Sequence, residues 1–223
     1  MLKLTSVHDP IIYTLQGEGR WTGIPAIFIR LALCNLRCTW CDTAYTWDWQ
    51  RYDPKTAIRT WPVADIIQRI KPYPSDYIII TGGEPLLQQA GLIALVKALT
   101  PYKIEIETNG TYTPDPDLDT AVMQYNVSPK LANSGASSLN LNPEALQWFA
   151  KSPKTLFKFV VIDASDVQHI QAFAADYGVE PTRIGLMPEG SATDANKAHW
   201  LVPACLDTGF RYIHRLHTHL SIR

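Results

Sequence analysis

The sequence predicts an α/β fold in which mostly parallel strands form an incomplete TIM-like barrel with helices on the outside. Apolar, β-branched runs bounded by turn residues recur along the chain, and helical patterns separate several of them. This alternation favours a parallel sheet, because parallel strands need crossover connections. About six or seven strands are too few for a closed eight-stranded barrel and enough for an open, curved one. A mixed sheet with antiparallel strands is the alternative.

The predicted elements follow one another along the whole chain. The strand-like runs are Ala26–Leu33, Tyr77–Thr81, Lys103–Thr108, Met123–Val127, Thr155–Val161, Arg183–Met187 and Tyr212–Leu216. The helical patterns, which have Ser, Asp or Pro near their starts, are Val63–Ile70, Leu86–Leu99, Pro143–Lys151, Asp166–Tyr177 and Asp194–Thr208. Two segments, Tyr112–Leu118 and Leu131–Asn142, are predicted loops on one face, because strand-like sequence resumes after each.

Length and composition predict one domain, residues 1–223, with a single core. The 223 residues include 46% hydrophobic and 18% charged side chains, which excludes a disordered chain. The 20 Lys and Arg nearly balance the 21 Asp and Glu, so no strong field draws nucleic acid or an anionic membrane. Because the chain has neither an apolar run of ~18–20 residues nor a signal peptide, a cytoplasmic protein is expected.

Three of the four cysteines lie in one motif. Cys34, Cys38 and Cys41 have the spacing C-x3-C-x2-C after a predicted strand, whereas Cys205 stands alone and is expected to be a buried thiol. Clustered thiols in a reducing compartment indicate metal or redox chemistry. Structural zinc normally takes four ligands, and no fourth Cys or His lies nearby. A [4Fe–4S] cluster on three cysteines leaves one iron free for a small molecule. Packing thiols with this spacing by chance are a further alternative.

A glycine-rich turn follows the next long strand. Its sequence, Thr81-Gly82-Gly83-Glu84-Pro85, lets the backbone approach a ligand closely, although alone it indicates a tight turn before a helix. Together the two motifs resemble the radical S-adenosylmethionine superfamily. The resemblance implies that the methionyl amine and carboxylate of S-adenosylmethionine bind the open iron, with the amine at this turn. It also implies that an electron enters the sulfonium and that a 5′-deoxyadenosyl radical takes a substrate hydrogen.

Further motifs narrow the resemblance. They are the segments Tyr13–Gly19 (YTLQGEG), Thr22–Arg30 (TGIPAIFIR), Asp42-Thr43, Glu105–Thr111 (EIETNGT) and Val127–Lys130 (VSPK). Between Ile11 and Lys130 they are similar to the 7-carboxy-7-deazaguanine synthase family. The resemblance implies a carbon-nitrogen lyase that contracts 6-carboxy-5,6,7,8-tetrahydropterin to 7-carboxy-7-deazaguanine with release of ammonia, in the biosynthesis of queuosine and related 7-deazaguanines.

The resemblance also implies a role for each matching residue. Cys34, Cys38 and Cys41 hold the [4Fe–4S] cluster, and Thr43 binds Mg²⁺. The implied contacts to S-adenosylmethionine are Trp40, Cys41, Asp42, Gly83, Ser128, Pro129 and Lys130. The implied contacts to the pterin substrate are Leu15, Gln16, Gly17, Arg30 and Thr81. Glu18 and Glu107 are the candidates for proton transfer, and the expected partners are a reducing electron donor and a second copy of the chain in a homodimer.

Elementary chemistry bears on two of these residues. Arg30 is a charge in an otherwise apolar strand, where burial without a partner is costly. A substrate carboxylate would pair with it, and an intramolecular salt bridge is the alternative. The Thr43 hydroxyl is a hard oxygen ligand of the kind that Mg²⁺ takes beside its waters, and a local turn hydrogen bond is the alternative.

Two departures from the family pattern limit the resemblance. Leu186–Gly190 stands where members often have Gln-Pro, so the adenine contacts are unassigned. The C-terminus lacks the family's closing proline, although Arg215-Leu216-His217 could face the substrate. Two rival functions are an activase that installs a glycyl radical on a partner protein and a zinc-binding interaction module. The Gln-Gly-Glu-Gly and Cys-Asp-Thr segments argue against the activase.

Overall fold

The computed structural model describes residues 1–136, 141–190 and 199–222, and within them ten strands form one sheet. The strands are β1 (Leu2–Thr5), β2 (Ile11–Leu15), β3 (Pro25–Leu31), β4 (Ile58–Trp61), β5 (Tyr77–Gly82), β6 (Lys103–Thr108), β7 (Val122–Val127), β8 (Thr155–Val161), β9 (Ile184–Pro188) and β10 (Arg211–Tyr212). Their order is β10-β9-β8-β7-β6-β5-β3-β1-β4, and β2 also pairs with β3.

The parallel part of the sheet confirms the predicted open barrel. Strands β3, β5, β6, β7, β8, β9 and β10 pair in parallel, seven in all. Strands β1, β2 and β4 add an antiparallel extension on the β3 side, so the sheet is mixed, as the alternative allowed, although these three strands were not predicted. The predicted strand Tyr212–Leu216 is wrong beyond Tyr212, because the chain leaves the sheet there and Leu216 begins a helix.

Eight α-helices are described. They are α1 (Pro54–Ala57), α2 (Val63–Ile70), α3 (Gln89–Ala98), α4 (Pro116–Asp119), α5 (Pro143–Lys151), α6 (Ala164–Tyr177), α7 (Leu201–Thr208) and α8 (Leu216–His219). The predicted helix Leu86–Leu99 begins as a 3-10 turn, Pro85–Gln88, and the predicted loop Tyr112–Leu118 contains the start of α4. Residues 194–198 of the predicted helix Asp194–Thr208, and residues 137–140 of the predicted loop Leu131–Asn142, lie outside the described residues.

The two faces of the parallel strands differ in chemistry, because successive strand residues point to opposite sides. In β6, Ile104 and Ile106 belong to the apolar core, while Glu105 and Glu107 belong to the other face. Helix α6 covers the core face and begins with a capping box between Asp163 and Asp166. The polar face is left to line a cavity. No helix in the described part of the chain is long and apolar enough to cross a membrane.

Candidate active site

The cavity lies at the carboxyl ends of the parallel strands and has a volume of about 250 Å³. Functional residues of α/β barrels collect at this end. The sequence-predicted site residues that line it are Leu15, Gln16, Gly17, Glu18, Arg30, Cys34, Cys38, Trp40, Cys41, Asp42, Thr43, Thr81, Gly83, Glu107, Ser128 and Lys130. Pro129 does not line it and is buried between two residues that do. Cys205 is half-buried against the core and is absent from the lining.

The loop that carries the three cysteines follows β3. Near its start, Leu33 has a left-handed backbone conformation with a φ of 77°. The loop is fixed by hydrogen bonds from Thr39 N to Ser134 O (2.9 Å) and from Trp40 Nε1 to Asn133 O (3.2 Å). Its thiols also accept hydrogen bonds: Trp47 Nε1 donates to Cys41 Sγ at 3.3 Å, and a backbone N–H donates to Cys34 Sγ at 3.4 Å. Sulfurs that already accept N–H groups are suited to bear the negative charge of metal-bound thiolates.

The chemistry of the three thiols suits an iron–sulfur cluster. All three line the cavity, yet no group of three His, Cys, Asp or Glu side chains in the described ranges is arranged to hold one metal ion. A cluster differs from a single ion because it takes each thiolate to a different iron. Burial raises the pKa of the Cys34 thiol to about 12 and also raises the pKa of Cys38. Metal binding therefore has to displace protons from these thiols.

The glycine turn after β5 packs directly on the cysteine loop. A Cβ on Gly82, whose φ is 142°, would collide with the backbone of Leu31, and one on Gly83 would collide with Leu33 O. Glycine is thus required here for close contact between two segments of the chain. Glu84 holds the turn in place, because its buried carboxyl accepts hydrogen bonds from Thr108 Oγ1 (2.7 Å) and from two backbone N–H groups. Burial raises the pKa of Glu84.

A polar part of the cavity lining comes from side chains on β3, β5 and β6. Thr81 Oγ1 donates to Glu107 Oε2 at 2.7 Å, and Gln16 Nε2 donates to Glu107 Oε1 at 3.2 Å. Arg30 faces the same cavity and has no salt-bridge partner among the residues that the structure describes. The alternative of an intramolecular salt bridge at Arg30 is therefore not realised in this part of the chain.

A buried cluster of charges closes one side of the cavity. Glu18 forms a close salt bridge with Lys158 of β8, and its Oε1 lies 3.4 Å from Arg215 Nε and 4.0 Å from His217 Nε2. Burial alone would raise the pKa of Glu18, but the Lys158 ammonium and the neighbouring cations lower it to about 2. Arg215 Nη2 also donates to Asp42 Oδ2 at 2.6 Å. The C-terminal segment is thus tied to the cysteine loop and to the loop after β2.

Glycine also permits the approach of this C-terminal segment. Leu216 N donates to Gly17 O at 2.9 Å, and a Cβ on Gly17 would collide with the His217 ring. Arg215 and His217 line the cavity, as the sequence analysis allowed, and Met187–Gly190 line it at the place of the family's Gln-Pro. Lys158 and Asn126 also line it and were missed. Like Arg30, Lys158 is a charged residue within an otherwise apolar strand, and this feature could have identified it from the sequence.

Replacing Lys158, the cation that pairs with Glu18, should strongly destabilise the protein. We expect Lys158→Met to lower the free energy of unfolding at neutral pH by about 3–5 kcal/mol, because it leaves the Glu18 carboxylate buried without its closest partner. The check is urea unfolding of the metal-free chain. Combining Lys158→Met with Glu18→Gln should recover much of the loss, since no buried carboxylate then remains.

The same pair predicts a pH dependence. The pKa of Glu18 is about 2 in the folded protein, against about 4.3 when unfolded, so its contribution is present above the unfolded value and is lost as the pH falls through the folded one. The difference in unfolding free energy between the parent and Lys158→Met should accordingly shrink as the pH falls toward about 2, because the unpaired Glu18 of the variant takes up its proton at a higher pH than the paired Glu18 of the parent. A difference that is constant from neutral to acid pH would show that Glu18 and Lys158 are not coupled.

Comparison with known proteins finds similarity along almost the whole chain. The model of the Radical SAM superfamily matches residues 29–188. A 7-carboxy-7-deazaguanine synthase from Pyrobaculum aerophilum is 38% identical over 213 residues, which cover 93% of this chain and 90% of the relative. One from Halobacterium salinarum is 35% identical over 239 residues, covering 95% and 89%. Among solved structures, QueE from Escherichia coli matches with a TM-score of 0.73 at 26% identity, covering 97% of this chain and 94% of the other.

Proposed function

The chain belongs to the Radical SAM superfamily and, within it, to the 7-carboxy-7-deazaguanine synthases, and from this premise we propose how its residues perform the reaction. The activity is that of a radical S-adenosylmethionine lyase, which contracts 6-carboxy-5,6,7,8-tetrahydropterin to 7-carboxy-7-deazaguanine and releases ammonia. The observation that carries the assignment is the meeting in one cavity of three thiols, the glycine turn and an arginine that has no salt-bridge partner among the described residues. Because the chain belongs to this family, both rival functions, the glycyl-radical activase and the zinc-binding module, are set aside.

The cofactors are a [4Fe–4S] cluster and S-adenosylmethionine. When bound, they supply the radical that removes a hydrogen atom from the substrate. We propose that Cys34, Cys38 and Cys41 hold the cluster. We assign S-adenosylmethionine to the surrounding lining residues Trp40, Cys41, Asp42, Gly83, Ser128 and Lys130, with Pro129 shaping the last of these segments. Lys130 Nζ donates to Ser128 Oγ at 2.7 Å and lies 5.4 Å from the centre of the Trp40 ring, so these residues form one continuous wall.

We propose that the substrate lies against a second part of the cavity wall, the substrate wall, which is made by Leu15, Gln16, Gly17, Arg30 and Thr81. Arg30 would receive the substrate carboxylate, because its guanidinium can bind a carboxylate through two hydrogen bonds. Glu107 is the better placed candidate for proton transfer, since it lines the cavity with its carboxylate held by neutral donors. Glu18, with a pKa of about 2 and the cations Lys158 and Arg215 beside it, stays ionised and serves to hold the cavity wall.

Thr43 is the proposed protein ligand of Mg²⁺. Its backbone carbonyl accepts the turn hydrogen bonds, from Thr46 N at 2.9 Å and Thr46 Oγ1 at 2.8 Å. The side-chain hydroxyl has a single polar neighbour among the described residues, Cys41 Sγ at 3.6 Å. The hydroxyl is thus free of the turn and faces the cavity, where it could join a cation that keeps several waters. This arrangement supports a metal role over the turn alternative.

The second metal is tested by titrating Mg²⁺ against the rate of deazapurine formation. Thr43→Ala should lower the rate, and saturating Mg²⁺ should rescue it only in part, because the ligand oxygen is gone. Thr43→Ser should be much milder, since it keeps that oxygen. Chelating Mg²⁺ should leave the cluster able to cleave S-adenosylmethionine. Identical Mg²⁺ curves for the parent and both variants would remove Thr43 from the metal site.

We further propose that residues 1–223 are a single domain, and that the protein works in the cytoplasm as a homodimer that takes its electron from a reducing donor. The support is the family resemblance together with four free cysteines, which suit a reducing compartment.

A further inference from the structure

A second carboxyl group is buried beside Glu107 and has no part in the function proposed above. Glu105 lies on β6 two residues before Glu107, and its side chain is completely buried. Gln16 Nε2 donates to Glu105 Oε1 at 2.6 Å and to Glu107 Oε1 at 3.2 Å, so one amide nitrogen joins the two carboxyls. The other oxygen, Glu105 Oε2, has no hydrogen-bond partner in the described structure.

The Gln16 amide is fully occupied by this arrangement. Its two N–H groups serve Glu105 and Glu107, and its Oε1 accepts from the backbone N–H of Glu18 at 3.2 Å. An amide nitrogen has only two hydrogens to donate. The Gln16 side chain therefore has no donor left for a substrate. Its task is to hold Glu107, and the nearby backbone is left to contact the pterin.

The charges around Glu105 do not favour a second negative charge. Glu107 on the same strand and Glu18 in the loop after β2 are carboxyls, and Lys158 on β8 is the cation that faces the group. Lys158 is already paired with Glu18. The residues opposite Glu105 on the neighbouring strands, Ile79 and Gln124, are uncharged. An ionised Glu105 would be a buried charge with one oxygen unpaired, beside another carboxylate.

We propose that Glu105 holds a proton at neutral pH and so places no second negative charge beside Glu107, which Gln16 fixes toward the substrate. Two carboxyls that share a buried site do not both ionise, and the more deeply buried one keeps the proton. In agreement, burial and the Glu107 charge raise the pKa of Glu105 well above its usual range. Glu105 is thus a positioning residue. The consequence for substrate rests on the proposed role of Glu107, whereas the protonation of Glu105 does not.

Infrared difference spectroscopy of the cluster-loaded protein without substrate tests the protonation directly. The spectrum of the parent minus that of Glu105→Gln at neutral pH should contain the C=O stretch of a protonated carboxylic acid, shifted in D₂O. The matched control, parent minus Glu107→Gln, should contain carboxylate bands instead. Carboxylate bands in the Glu105→Gln difference would overturn the proposal. Glu105→Met, also neutral and of similar length, gives the same readout if Glu105→Gln does not fold.

The pH profile of substrate binding gives a second readout, one that a purely structural role would not move. If Glu105 is neutral in the parent, Glu105→Gln leaves the charge near Glu107 unchanged, and the acid limb of the binding curve should stay in place. If Glu105 is ionised in the parent, Glu105→Gln removes a negative charge beside Glu107 and moves that limb to lower pH, which would contradict the proposal. If the proposed function is wrong, the parent should not bind the pterin substrate at all, whereas the infrared result for Glu105 would be unchanged.

Discussion

Replacing any one of Cys34, Cys38 and Cys41 by alanine should abolish the brown cluster chromophore or strongly weaken cluster retention, and should abolish turnover. The three thiols line one cavity and each supplies one ligand, so no thiol can stand in for another. The measurement is iron and sulfide analysis after anaerobic reconstitution, together with the visible absorption spectrum. The parent should hold about four iron and four sulfide per chain.

Cys205→Ala is the matched control for these substitutions. Cys205 packs at the edge of the core, outside the residues that line the cavity, so its loss should leave the iron content unchanged. The ligand assignment would be wrong if Cys205→Ala lost the cluster while one of the three loop variants kept it and remained active. One tightly held zinc per chain in place of iron would contradict the cluster itself.

Replacing Arg30 by methionine should weaken substrate binding and leave the affinity for S-adenosylmethionine nearly intact. Loss of the charged partner should cost about 2–5 kcal/mol, much of it because the substrate carboxylate is left unpaired. In binding terms this is roughly a 30-fold to several-thousand-fold rise in Kd. Methionine keeps most of the side-chain length and buries no charge, so the variant should fold.

The binding measurement is anaerobic titration of each ligand separately into the cluster-loaded protein. Arg20→Met is a suitable control, because Arg20 is exposed and does not line the cavity. It should bind both ligands as the parent does. Equal substrate affinity in Arg30→Met and the parent would remove Arg30 from the substrate site, and a loss of affinity for both ligands would indicate a distorted cavity.

Local patterns in the sequence were sufficient to predict the parallel sheet and to single out the three cysteines that line the cavity. The strands from Ala26 to Met187 are apolar runs bounded by turn residues, and the cysteines lie within eight positions of one another. The antiparallel strands β1, β2 and β4 were missed because each has only four or five residues. Runs this short that also contain polar residues are hard to distinguish from loops.

Long-range pairings explain the rest of what the sequence could not predict. Lys158 lies in a strand whose seven residues are all buried, so alternation of polar and apolar positions does not reveal its partner. That partner, Glu18, is 140 residues away along the chain. Gln16 and Glu105 are separated by 89 residues, and each alone is an ordinary polar residue. Only the folded chain shows that the Gln16 amide is occupied by carboxyls.

The most direct test of the activity is an anaerobic assay with cluster-loaded protein, S-adenosylmethionine, a reductant, Mg²⁺ and 6-carboxy-5,6,7,8-tetrahydropterin, in which the products are identified by mass spectrometry. The parent should form 7-carboxy-7-deazaguanine and ammonia in equal amounts, and Cys38→Ala should form neither. If the parent retains its cluster and cleaves S-adenosylmethionine but yields no deazapurine, the reaction assigned to this cavity is contradicted.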